Sequence, residues 1–451
     1  MKNKRLMMLL AGWAFVALPL FGQRTLSLPQ CLELAVSHNR TLRSAALDVE
    51  SADAARREAF TNYFPEVSAS VLAFHTFDKL VKGDGVFPEE IAVFGEPYAA
   101  MVGQPFSLRE MNKGYTATVS AVQPLFSGGR IVAGNKLAAI QQEAMRLQRS
   151  LTEKEVLQKV TECFWQIASV RYHLQTLDAA DRQMETVLTE TQNQVAAGVA
   201  TRNALLRVQL RKQELASNRL TLENSEHILL MLLAQQIGLA DETVTIELPE
   251  VVPMDPRQLY ASAENAVELR EEWQLVGRQV EAQRWQVRME RGKHLPTFAV
   301  GVTGMQSGFG GLSSNVKQLM KTEMTNGFVF GTLSIPISSW WGGRQAIRQQ
   351  QIKLRQAELD RLEAREQLRI EIESTWSNLM EAYKQIELMK VSEEEASENL
   401  RMSQAQYKAG TESLSDLLDA ETLHRSAQNN LSSALADYQI QLADYLRKTR
   451  R

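Results

Sequence analysis

The stretch that decides the fold is Gln404-Ala405-Gln406-Tyr407-Lys408-Ala409-Gly410-Thr411-Glu412-Ser413-Leu414-Ser415-Asp416-Leu417-Leu418-Asp419-Ala420. It reads as one helix arriving, a glycine turn at Gly410, and a second helix leaving under Ser413 as its N-cap. Asp416 and Asp419 then lie three residues apart, on one face of the departing helix's first turn. A weaker copy stands a half-chain earlier, Gln194-Val195-Ala196-Ala197-Gly198-Val199-Ala200-Thr201-Arg202-Asn203-Ala204-Leu205-Leu206. Two such turns imply a duplicated chain.

Working outward from each turn, the same plan appears twice. From Pro124-Leu125-Phe126-Ser127-Gly128-Gly129-Arg130 to Ala197, only Gly134 interrupts helix-forming sequence. Val156, Val160, Cys163, Ile167, Val170, Leu174 and Leu177 recur at alternating steps of four and three, a coiled-coil seam. In the second half the seam is Ile372, Trp376, Leu379, Tyr383 and Ile386, and after Gly410 it is Leu431, Leu435, Tyr438, Leu442 and Tyr445. Each long helix is expected to span roughly 100 Å. The shorter helices are read as Leu28–Asn62, Thr201–Ile237, Arg257–Arg291 and the C-terminal segment, with a proline-containing linker over 238–256. Placed end to end, two short helices match one long one. The expected product is an antiparallel bundle with every strand pair at the end opposite the glycine turns.

Ahead of each long helix the period drops to two. Val67, Ala69, Val71 and Ala73 alternate with Ser68, Ser70, Leu72 and Phe74, and Tyr115, Ala117, Val119 and Ala121 with Thr116, Thr118 and Ser120. Phe298, Val300 and Val302 begin a third strand; Phe328, Phe330 and Thr332 alternate with Val329, Leu333 and Ile335 in a fourth. A stretch from Asp78 to Lys113 and a Gly/Ser-rich stretch including Gly308-Phe309-Gly310-Gly311 are read as the joining loops. About ten residues suffice for a tilted strand to cross a bilayer. The outward candidates Val67, Ala69, Val71, Ala73, Phe298, Val300, Val302, Val329, Leu333 and Ile335 carry no charge, and Tyr63, Phe64, Phe126, Trp340 and Trp341 gather at the strand–helix junctions as a membrane-interface girdle would. Lipid does not tolerate open strand edges, and four strands are too few to close a barrel. An oligomer sharing one barrel follows.

Composition agrees with export. Residues 1–22 run from Lys2, Lys4 and Arg5 through an apolar core to Gly22, the order of a signal peptide. The 451-residue chain has a formal net charge of −3 and two cysteines, Cys31 and Cys163, read as unpaired. Such a balance argues against a nucleic-acid partner. The six histidines are scattered without metal-ligand spacing, no cofactor is expected, and the Glu393-Glu394-Glu395 run reads as a solvated helix face, so no enzyme is expected. The boundaries expected are a first repeat over 23–240, a linker over 241–256 and a second repeat over 257–451.

These features together resemble the TolC family of outer-membrane efflux channels. The resemblance rests on Phe64-Pro65 and Leu295-Pro296 before the first strand of each half, on Gln123 to Arg130 with Gly342-Gly343-Arg344, on the two glycine turns, and on Tyr407 to Ala420 with its Asp-x-x-Asp ending. It implies a homotrimer with a shared twelve-stranded outer-membrane barrel, set in lipid and continued by a helical periplasmic tunnel. It implies a periplasmic adaptor and an inner-membrane transporter, of proton-driven or ABC type, as partners. It implies a pore constriction at Asp416 and Asp419, and gate and adaptor-contact tips at Gly198, Thr201, Arg202, Asn203, Tyr407, Gly410, Thr411, Glu412 and Ser413. The chain departs from the pattern at Ala204, where an acidic gate partner is missing, and at Glu412, where some relatives carry a base. Arg202, Asn203 and Arg207 are alternative contacts for Glu412 or Asp416. The competing reading is a secreted coiled-coil structural or adhesion protein with small β-hairpin caps.

Overall fold

A computed structural model describes residues 24–75, 77, 113–240, 243–310 and 323–450. The expected signal peptide, most of the first interstrand stretch, the segment 311–322 and the Trp340 side chain lie outside these residues. Among the described residues fifteen elements follow one another, one of them a 3₁₀ turn: β1 (Arg24–Leu26), α1 (Leu28–His38), α2 (Arg40–Thr61), β2 (Glu66–His75), β3 (Lys113–Phe126), α3 (Arg130–Ala196), α4 (Arg202–Gln236), β4 (Val244–Ile246), the turn Pro256–Leu259, α5 (Ala263–Leu269), α6 (Glu271–Lys293), β5 (Thr297–Gly310), β6 (Glu323–Ser334), α7 (Ser339–Lys408) and α8 (Leu414–Thr449). The chain divides into two compact units: residues 50–144 with 277–360, which hold the four long strands, and the remainder, which is mainly helical.

In the strand unit the sheet order is β2-β3-β5-β6, antiparallel throughout. Register sorts the two faces. Val67, Ala69 and Val71 stand opposite Ala121, Val119 and Ala117; Ala121 in turn faces Val302, and Val302 faces Val329. Phe298 pairs with Leu333 on that same face. The opposite face carries hydroxyls: Ser68 and Ser120 lie 3.0 Å apart, Thr116 and Ser307 3.3 Å. One face is thus apolar, with Val67 and Val71 69% and 74% accessible, and the other carries the hydroxyls, with exposed Leu72 and Phe328 among them. β2 and β6 each leave an edge unpaired by the other strands of this sheet.

Gly308, Phe309 and Gly310 belong to β5, paired with Tyr115, Gly114 and Lys113, which corrects their reading as loop. The four glycines of β5 (Gly301, Gly304, Gly308 and Gly310) weaken strand propensity, and the pairing with β3 overrides it. The Gly-Gly-Arg segments also differ. Gly128 and Gly129 form a turn with φ of +61° and +77°, and a Cβ on Gly128 would lie 2.2 Å from the Gly292 carbonyl oxygen. Gly342 and Gly343 instead lie inside α7.

In the helical unit the seams are buried as the period requires: Val156, Val160 and Ile167 on α3, Ile372, Leu379 and Ile386 on α7, Tyr438 and Tyr445 on α8. The first helix, read as continuous over 28–62, breaks at Asn39. That side chain accepts the N–H groups of Thr41 and Leu42 at 2.8 and 3.1 Å and donates to the Gln236 carbonyl at 2.7 Å. It caps α2 while tying it to the end of α4.

The presumed linker also has structure. Val244–Ile246 pairs in parallel with Arg24–Leu26, and Leu26, Val244 and Ile246 are buried. Tyrosines strap the following chain to the bundle: Tyr438 donates to the Met254 carbonyl at 2.6 Å, and the Tyr445 hydroxyl accepts the Ala261 N–H at 2.8 Å. The helix expected over 257–291 is therefore in three pieces.

Candidate functional site

The two glycine turns meet in the helical unit. Gly198 and Gly410 have φ of +74° and +72°, the left-handed conformation that lets the chain reverse without a Cβ clash. Thr201 and Ser413 cap the departing helices, their hydroxyls accepting the N–H of Ala204 and Asp416 at 3.3 Å each. Leu177, Ala180, Met184 and Val187 of α3, Val208 and Leu215 of α4, Leu400 of α7, and Leu417 and Ala420 of α8 form one buried cluster. Tyr407 packs against it and donates to Gln194 Oε1 at 3.3 Å, linking the two turns.

Asp416 and Asp419 are both exposed on α8, next to this core. The Ser413 hydroxyl donates to Asp416 Oδ2 at 2.6 Å, fixing one oxygen of that carboxylate and leaving the other open. Asp419 makes no hydrogen bond or ion pair among the described residues. Thr201, Arg202, Asn203, Thr411 and Ser413 are exposed, Glu412 and Tyr407 half-buried. Among the described residues Arg202, Asn203 and Arg207 form no hydrogen bond or ion pair with Glu412 or Asp416 of the same chain. Glu412 instead accepts from the buried Ser403 hydroxyl at 3.0 Å, because it folds back along α7, and its Oε2 is buried without a hydrogen-bond partner.

Sequence reasoning missed a charged cluster just beyond the acids. Glu421, only 2% exposed, accepts from Arg211 Nη2 at 3.1 Å and lies 3.7 Å from Arg425 Nε; Arg211 also bonds Thr422 and Glu214. Its signal was present: Leu414, Leu417 and Glu421 share the spacing of one helix face, so an acid occupies a core position.

The described junction aromatics remain accessible: Tyr63 40%, Phe64 55%, Phe126 50% and Trp341 86%. Phe60, not anticipated, meets both Tyr63 and Phe64 edge-on at 5.6 Å. Among the described residues no helix is long and apolar enough to cross a membrane, and no cluster of acids, histidines and cysteines could hold a metal ion.

A sheet with one apolar face, hydroxyls on the other and both edges unpaired among the described residues, joined to coiled-coil helices, defines the class of channel proteins whose barrel is shared between chains. The comparisons specify which. Residues 31–235 and 263–446 match the family described as outer membrane efflux protein, and the chain belongs to that family, the TolC family. Among solved structures, the outer membrane protein VceC from Vibrio cholerae superposes with a TM-score of 0.75 at 14% identity, covering 94% of this chain and 95% of that one. The CmeC outer membrane channel of Campylobacter jejuni gives 0.75 at 13% identity, covering 94% and 85%. The open state of the MtrE channel of Neisseria gonorrhoeae gives 0.70 at 17%, covering 94% and 88%. Comparison with curated protein sequences found no match. The protein is an outer-membrane efflux channel, not an enzyme, with a helical tunnel extending into the periplasm. Channels of this family form trimers within tripartite efflux systems.

Proposed function

We propose that the chain is the passive duct of an export system, gated at the helical tips around Gly198 and Gly410, with Asp416 and Asp419 as its constriction. The observation that carries this reading is two exposed carboxylates on the first turn of α8, one half-bonded and one free, beside the Tyr407–Gln194 link. A ring of such carboxylates in a narrow pore favours cations and repels anions. The open oxygen of exposed Asp416 supports a gate completed between protomers, since a cation of the neighbouring tip would satisfy it. Arg202 and Arg207 are the exposed candidates, taking over where Ala204 lacks an acid.

The cargo is small toxic molecules such as drugs, or secreted polypeptides. A periplasmic adaptor contacts the tips at Thr201, Arg202, Asn203, Thr411 and Glu412, and an inner-membrane transporter supplies the energy. Residues 1–22 direct export and are removed. The test is conductance of the reconstituted trimer across a planar bilayer under a salt gradient. Replacing both acids (Asp416→Ala with Asp419→Ala) is expected to move the reversal potential toward zero. An unchanged cation preference would refute the constriction.

A further inference from the structure

Within the strand unit, the start of α7 has a charge pattern that the channel function does not use. From Ser339 to Ala357 the only charged residues are Arg344, Arg348, Lys353 and Arg355, the first acid being Glu358. The corresponding start of α3 repeats the bias, with Arg130 and Lys136 ahead of its first acid, Glu143. Arg344 and Arg348 are both exposed and form no ion pair among the described residues. Being four apart, they share one helix face, where they line a cleft of about 720 Å³ together with His294 and Ile347.

The residues leading into this cleft run in the order of a membrane interface. Leu333, Ile335 and Ile337 are 62%, 47% and 69% exposed, Trp341 follows at 86%, and the two arginines come next. At 1.5 Å per residue, Arg344 and Arg348 lie roughly 5 and 10 Å along the helix from Trp341. A headgroup layer is about 5–8 Å deep on each side of the hydrocarbon. Side chains on a helix lean toward its N-terminus, here toward the strands, so both guanidinium groups can snorkel into that layer. The ligand-binding groups are guanidinium forks, which match phosphate oxygens two at a time.

We propose that this cleft binds the headgroup of an anionic phospholipid of the phosphatidylglycerol type, from the periplasmic leaflet of the outer membrane. Charge complementarity, and the run of exposed apolar residues from Leu333 to Trp341 that leads along the chain to the arginines, select a lipid over a protein segment. The bound lipid would fix the depth at which the barrel sits, by adding a charged anchor to the aromatic one.

The experiment uses the detergent-solubilised full-length trimer and counts retained lipids by native mass spectrometry, offering phosphatidylglycerol against phosphatidylcholine. The wild type is expected to prefer phosphatidylglycerol, less so as salt rises. Each arginine near an anionic surface contributes about a fivefold preference, so R344Q/R348Q should lose about twenty-five-fold and each single change about fivefold. R344K/R348K, keeping charge without the fork, should fall between. The charge-matched control K390Q/R401Q, in the other unit, should behave as wild type. An R344Q/R348Q trimer with wild-type preference would overturn the proposal. So would dissociation of that variant with lipid retention intact, which would assign the arginines to a second copy. Displacement of the lipid by equimolar inorganic phosphate would also overturn it, by assigning the cleft to a free anion.

Discussion

Glu271 should be the main acid-sensitive joint of the helical unit. It opens α6, and its carboxylate, 4% exposed, accepts Ser150 Oγ at 2.7 Å, Lys154 Nζ at 2.9 Å and the Arg450 guanidinium. Burial, the largest single effect, would raise its pKa, but the hydrogen bonds from Arg450, Lys154 and Ser150 together outweigh it and bring the carboxyl from 4.5 down to about 2. At about 1.4 kcal/mol per tenfold change, the charged form stabilises the fold by about 3 kcal/mol. Because the folded pKa lies below the unfolded one, this stability is complete above 4.5. It is lost as pH falls from there toward 2. Between neutral pH and pH 3 about 2 kcal/mol should disappear.

Glu271→Gln keeps the shape and removes the charge, leaving Lys154 and Arg450 without a counter-ion. It should cost about 3 kcal/mol at neutral pH, within the range for breaking a buried pair. It should also flatten this share of the acid dependence. The assay is guanidinium unfolding of the detergent-solubilised trimer by far-ultraviolet circular dichroism, at neutral pH and at pH 3, with protomer concentration fixed. The decisive quantity is the wild-type minus variant difference, which should shrink by about 2 kcal/mol on acidification. A difference that stays constant with pH would refute the argument.

Burial pushes the Cys31 thiol up to about 11 and raises that of Cys163, with Glu162 adding to the latter. Neither should react with maleimide in the folded trimer at mildly alkaline pH, since the thiolate is the nucleophile, and both should react after unfolding; one labelled equivalent in the native protein would contradict this. Val71 and Ser70 are neighbours in mid-β2 on opposite faces. Val71→Lys should cost about 2–4 kcal/mol on the lipid side and reduce the trimer recovered from outer membranes, whereas Ser70→Lys should assemble and alter conductance; equal recovery of the two would contradict the face assignment.

What the sequence made legible was periodic. The four-and-three seams and the period-two strands each report a side chain's face, and Ile372, Leu379, Ile386 and the Val67–Val71 face lie where the period puts them. What it hid was held by single long-range bonds. Asn39 breaks a helix-rich stretch because its partner, Gln236, lies nearly two hundred residues away. The pairing of β1 with β4 joins two three-residue strands with no period of their own. The turns at Gly198 and Gly410 were readable because glycine punctuation is local. The Arg211–Glu421–Arg425 cluster was not singled out, although Glu421 on an apolar face was its visible trace.

The two halves share a plan, and they differ at the strand–helix junction and at the tips. At the strand–helix junction Gly128 is held by backbone crowding against Gly292 and accepts no side chain without a shift, whereas Gly342 and Gly343 are helical and are followed by the exposed Arg344 and Arg348. At the tips, Thr201 and Ser413 cap alike, yet only the second cap is followed by acids; the position matching Asp416 is Ala204. Capping and crowding are demands of folding, and each half meets them in its own way. Exposed charge is not such a demand, since isolated surface charges add little to stability. Neither the acid pair at the second tip nor the exposed arginine pair at the start of α7 is therefore explained by folding alone, and ions in a pore and lipid headgroups are the partners whose charge would match them.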